Sequence, residues 1–193
     1  MAWAFMSADR QIGCQISMDQ IVLHARQYSR FEIFAETMKF AIDAVQLQAR
    51  HFDVNAIGVR YLDKIEPEAG KSLSDYLVPG FLPTPMDSAE FETLGGVSQS
   101  VYGTKTGILQ ARFWTGNGFG VIPDDLVPLY VLTEDFALGA HPIKPLPVGA
   151  GTLDSDSIWT TQQPVPMQSE QVISKLRELH VHANAFFRSA CSD

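Results

Sequence analysis

The sequence predicts an α+β fold: an antiparallel sheet, opened by an N-terminal three-stranded meander and continued by later strands, with two long helices packed on one face. Three observations carry this reading. Apolar and polar residues alternate with period two between Trp3 and Arg26. A stretch without Gly or Pro then runs from Ser29 to Asn55, with apolar residues at three-to-four spacing. A second such stretch follows Ser169. Of 193 residues, 46% are apolar and 19% charged, so the chain can bury a proper core. It reads as one domain over 1–193. Strands precede a helix in 1–66 and again in 96–193, with a Pro-rich loop, 67–95, joining two halves of similar order. No residue-level repeat links them.

The meander comes first. Trp3 and Phe5 follow the same period-two alternation, Asp9-Arg10 marks a tight turn, and Ile12, Cys14 and Ile16 form the inward set of a second strand. Met18-Asp19-Gln20 separates it from a third run, Ile21 to Arg26. Ser29-Arg30-Phe31-Glu32 matches a capping box, with Tyr28 and Ile33 in the positions of a hydrophobic staple. The stripe Phe34, Met38, Ala41, Ile42, Val45, Ala49 predicts a helix of about five turns.

A strand is predicted over Asn55–Ile65, with Arg60 on the opposite face from Val59 and Tyr61. Glu66–Gly96 carries Pro67, Pro79, Pro83 and Pro85 and reads as loop, with a short helix at Ser72–Leu77. Its apolar set, Tyr76, Leu77, Val78, Phe81 and Leu82, argues that the loop packs down. Val97–Tyr102 and Ile108–Trp114 form a hairpin around Gly103–Gly107. Gly116-Asn117-Gly118 marks a turn, Leu126–Leu138 is a third apolar run, and His141–Gly151 is loop. Leu153–Trp159 adds a short strand. Ser169 caps the closing helix, which carries Val172, Leu176, Leu179, Ala183 and Phe186 or Phe187 inward to about Ala190.

Charge and composition narrow the function classes. A net charge of −8 with no run of Lys or Arg argues against nucleic acid. No stretch reaches the ~18–20 apolar residues that span a bilayer, and Met1 to Asp9 has neither the basic n-region nor the long apolar h-region expected of a signal peptide. Cys14 and Cys191 read as free thiols in a reducing, cytoplasmic compartment. No cofactor is expected: P-loop, dinucleotide fingerprint, nucleophile elbow and Cys-x-x-Cys are absent. Gly116-Asn117-Gly118-Phe119-Gly120 lacks the following helix that a phosphate loop needs. His180 and His182, two apart on a helix, do not share a face and form no zinc pair.

The run Tyr28 to Ile65, a capped helix followed by Ile57-Gly58-Val59-Arg60-Tyr61-Leu62-Asp63-Lys64-Ile65, resembles a sporadically distributed family of uncharacterised bacterial proteins. That family has a strand similar to Gly-Leu-Arg-Tyr-hydrophobic-Asn-x-Ile after its helix. Gly58, Arg60, Tyr61 and Ile65 match, Val59 replaces Leu, and Asp63 stands where Asn is usual. Leu179-His180 and Phe186-Phe187 are similar to the family's closing helix. The resemblance implies an α+β fold and an N-terminally shortened member, and brings no activity.

Arg60, Tyr61 and Asp63 are the candidate ligand-binding residues. An Arg within an apolar strand must find a partner, either an anionic ligand or a structural carboxylate such as Asp63 or Glu66. Asp154 and Asp156 form an Asp-x-Asp whose carboxylates point the same way and could hold Mg²⁺; the competing reading is a solvated turn. The expectation is a non-enzymatic binding or regulatory domain with a protein partner or a second copy of itself, as in a homodimer. The alternatives are a small anionic ligand held between helix and sheet beside Arg60, or a metal-assisted hydrolase using Asp154 and Asp156.

Overall fold

The computed structural model describes residues 2–26, 30–49, 51–84, 86, 90–116, 119–129 and 145–191. In chain order the elements are β1 (Ala2–Met6), β2 (Ile12–Ser17), β3 (Ile21–Ala25), α1 (Phe31–Gln46), β4 (Asp53–Ile65), β5 (Gly95–Gly103), β6 (Ile108–Gly116), β7 (Gly151–Pro166) and α2 (Ser169–Ala190). The fold is α+β, as the sequence predicts. Its strands form two antiparallel sheets, β1-β2-β3 and β4-β7-β6-β5, rather than one. By contacts the chain groups into two compact units: Met1–Asn55, Pro123–Pro142 and Thr161–Arg177, then Ala56–Ile122, Ile143–Thr160 and Glu178–Asp193.

In the first unit, Trp3 lies opposite Ile16, Phe5 opposite Cys14, and Cys14 opposite Leu23. These residues share one face of the meander, and Leu23 is buried on it. The first turn is held by Asp9, which accepts from the Ser7 hydroxyl at 2.6 Å and the Gln11 N–H at 3.1 Å. Arg10 there takes a left-handed φ of 55°. On the other face Gly13 sits opposite His24. A Cβ at Gly13 would collide with the His24 ring and the Met6 sulfur, so a side chain there would require both to move.

α1 begins one residue later than the sequence reading has it. Arg30 is its N-cap, in an extended conformation and without a side-chain capping bond. Ser29 and Tyr28, the expected cap and staple, lie outside the described residues. The shift takes Glu32 out of the capping-box position. Its carboxylate instead pairs with Arg177 of α2 at 2.7 Å. Two further bonds join α1 to the same stretch of chain: Lys39 to Glu170 at 3.0 Å, and the Gln46 side-chain amide to the Met167 carbonyl at 2.8 Å. Phe31, Ala35 and Ile42 are buried, while Ile33, Phe40 and Leu47 form a separate exposed line at seven-residue spacing.

In the second unit, strand alternation divides the sheet's side chains between two faces. One face carries Leu109, Ala111, Phe113 and Leu153 and packs on Ala183 and Ala190 of α2. Leu77 and Phe81 join this core, so the Pro-rich loop packs down as its apolar set suggests. The Val78 N–H donates to the Ala190 carbonyl at 3.0 Å and fixes the loop to the end of α2. The expected short helix at Ser72–Leu77 is a single 3-10 turn, Leu73–Asp75.

Two expectations change in this region. Leu126 closes a 3-10 turn, Asp124–Leu126, and does not start a strand; 130–138 lie outside the described residues. The short strand expected at Leu153–Trp159 is the 16-residue β7, an interior strand of the sheet. Thr160-Thr161-Gln162-Gln163 and two prolines hide its continuation. Pro164 and Pro166 lie beyond the β6 ladder, which ends at Ile158.

Candidate functional site

The face of the four-stranded sheet opposite α2 carries a row of charges. Arg60 projects from β4, Asp154 from β7 and Arg112 from β6, on three adjacent strands. Asp154 lies directly opposite Arg112 in the ladder. Its carboxylate is 1% exposed, against 17% for the Arg60 side chain and 33% for that of Arg112. Arg60 engages it bidentately, Nε to Oδ1 at 2.8 Å and Nη2 to Oδ2 at 2.9 Å. Arg112 donates to Oδ2 through Nε at 2.9 Å and Nη2 at 2.6 Å. This is the fork geometry for which a guanidinium is suited and an ammonium is not.

Two sets of residues that the sequence presents separately, Arg60 and the Asp-x-Asp, thus meet. The structural partner of Arg60 is Asp154, not Asp63 or Glu66. Asp63 is three residues along the strand and faces the other way, while Glu66 pairs with Lys64 at 2.9 Å. Both oxygens of Asp154 are engaged by guanidinium groups, so a cation placed there would have to displace them. Asp156 lies two residues on, opposite Gln110 and on the same face as Asp154. Its carboxylate is within reach of the space beside Gly58.

Tyr61 and Asp63 project to the α2 side. The Tyr61 hydroxyl and His180 Nδ1 are 2.7 Å apart, with ring centroids at 5.9 Å. Burial pushes the Asp63 carboxyl up from its ordinary range. It also raises the Cys191 thiol, and the Asp63 charge adds to that rise. The triplet Arg60, Tyr61, Asp63 is therefore divided between two faces of one strand. His182 turns to Thr106, with Nε2 at 3.1 Å from the hydroxyl, so His180 and His182 have separate partners. Among the described residues no group of His, Cys, Asp and Glu could hold a metal ion.

Part of the charged face is roofed. Trp114, Leu146 and Ala150 are buried there with Leu62 and Val121 alongside. The Trp114 indole donates to the Gly120 carbonyl at 2.8 Å, and the Thr152 hydroxyl to Val121 at 3.1 Å. Toward β5 the face is open: Val97, Val101 and Ile108 are exposed on it. A depression of about 560 Å³ lies at the start of β5, between that strand and Phe81, Pro83 and Phe91. It is formed by loop and strand, not by helix and sheet.

The sequence reading missed Arg112 and the partnership of Tyr61 with His180. Arg112 carries the same signal as Arg60, a guanidinium alternating with buried Ala111 and Phe113. The second partnership joins residues 119 apart and leaves no local trace. Among the described residues no helix is long and apolar enough to cross a membrane. Comparison with family models, curated proteins and solved structures finds no match for the chain.

Proposed function

We propose that the chain is a non-enzymatic binding domain that takes up an extended partner strand along β5. The observation that carries this is the state of that edge. β5 ends the order β4-β7-β6-β5, and among the described residues its ladder runs to β6 alone. Its nine residues, GGVSQSVYG, contain no charge and no proline. Val97, Val101 and Tyr102 are exposed along it. Edge strands that stay unpaired are normally blunted by Lys, Pro or a bulge, because bare amides and carbonyls recruit another strand. An edge lacking these devices suits strand addition, where main-chain bonds give affinity and alternate side chains give selectivity. The test is a panel of synthetic extended peptides, read by hydrogen exchange of the β5 amides. At least one peptide is expected to slow that exchange; if the whole panel leaves β5 unprotected, the reading is wrong.

A second reading has its own support. Two guanidiniums converge on one carboxylate, and Arg112 keeps a third of its side chain in solvent. An anionic ligand could rest on that exposed part of the guanidinium. Titration with inorganic phosphate and pyrophosphate, on the wild type and on Arg112→Gln, decides it; equal weak responses in both would remove the reading. The pair of free thiols, Cys14 and Cys191, supports a cytoplasmic setting. Membership of the uncharacterised bacterial family resembled at Gly58, Arg60, Tyr61 and Ile65 fits this proposal and adds no activity to it.

A further inference from the structure

We infer that the strand received by β5 is β5 of a second copy of this chain, paired antiparallel about a two-fold axis at Gln99. The inference rests on the reading of β5 as a binding edge and names its partner. An isologous contact requires a surface complementary to itself. For two identical antiparallel strands, this means that the sequence must read acceptably against its own reverse. Around Gln99 it reads the same in both directions: Val97-Ser98-Gln99-Ser100-Val101. With Gln99 opposite Gln99 of the second copy, Val97 meets Val101, Ser98 meets Ser100, Gly96 meets Tyr102 and Gly95 meets Gly103.

Each of these pairs is a favourable or neutral cross-strand neighbour. The valines lie on the open face, where each would cover an exposed apolar side chain of the other copy. On the opposite face Ser98 already donates to the Phe81 carbonyl at 3.1 Å and can accept from the Ser100 hydroxyl of the other copy. The two Gln99 amides, each both donor and acceptor, can bond to one another at the axis. No pair sets like charges or two bulky side chains together. Charge at large points the same way. Two molecules of net charge −8 repel, so a contact between copies is best made through a neutral segment. β5 is such a segment over its whole length.

The axis makes a specific experiment available. Gln99 is exposed and stands opposite Arg112 of β6, and at the axis any residue placed there also faces its own copy. Sedimentation of the full chain over a concentration series is expected to show a monomer–dimer equilibrium. Gln99→Lys and Gln99→Glu should each weaken the dimer by about fivefold or more, since like charges then stand directly opposite. At concentrations where the wild type is monomeric, both variants should keep its circular dichroism spectrum. Mixing the two variants should restore a dimer containing one of each. A wild type that is monomeric at every concentration would overturn the inference; if extended peptides still protect β5, the binding edge survives and only the second copy is rejected. Single variants that dimerise like the wild type would place the contact elsewhere. A mixture that stays monomeric would deny the two-fold at Gln99.

Discussion

Asp154 determines how the charged face should respond to substitution. Its carboxylate pairs with both Arg60 and Arg112 and is almost fully buried. Asp154→Ala would remove the buried carboxylate that two guanidiniums share, at a cost of about 3–5 kcal/mol. A urea denaturation midpoint well below that of the wild type checks this. Arg112→Gln should cost much less, because Arg60 continues to neutralise the carboxylate. His24 gives a second expectation. Both its ring nitrogens are buried without a hydrogen-bond partner among the described residues, and burial lowers its pKa from the ordinary 6.5. The unfolded chain then takes up the proton first as pH falls. This contribution to stability is complete above about pH 6.5 and is lost as pH falls from there through the lowered folded pKa. Melting temperatures of the wild type should fall across that window more steeply than those of His24→Phe. Neither residue's environment is legible locally. The need of Arg60 for a partner is visible in the sequence, but the partner is 94 residues away.

At the scale of elements, the sequence reading succeeds where periodicity is strong and local. All three strands of the meander, α1, β4 and the β5–β6 hairpin emerge within a few residues of their expected bounds. It fails where a neighbour decides. β7 is about twice as long as its apolar pattern, because a strand paired with neighbours accommodates polar residues; it lies between β4 and β6. The start of α1 moves by one residue, and Glu32 finds Arg177 instead of its own helix terminus. Periodicity alone also merges the two stripes of α1. Ile42 is buried, whereas Phe40 is 75% exposed. Ile42→Ala should therefore cost about 2–5 kcal/mol, and Phe40→Gln should fall within about 0.5 kcal/mol of the wild type. Thermal melts of the two variants test the assignment directly.

For the molecule as a whole, composition identified an acidic globular chain but not where it would be adhesive. The net charge of −8 resists association, and the neutral β5 edge permits it. If copies pair through β5, added salt should tighten the dimer by screening that repulsion. Sedimentation at low and high sodium chloride is expected to show the dimer gaining with salt; a dimer dissolved by salt would instead indicate ion pairs at the contact.

The distance between Arg60 and Asp154 also bears on how the chain is made. During synthesis β4 leaves the ribosome long before β7, the strand it lies against. In that interval Ile57 and Val59, later buried, have no sheet to join. The charge of Arg60, set among them, then acts as a gatekeeper against premature strand stacking. Contacts of such long sequence separation close slowly, so the four-stranded sheet should be a late folding event and the meander an early one. A guanidinium that ends its life neutralised on a buried carboxylate would thus begin it as the charge that keeps a nascent strand soluble.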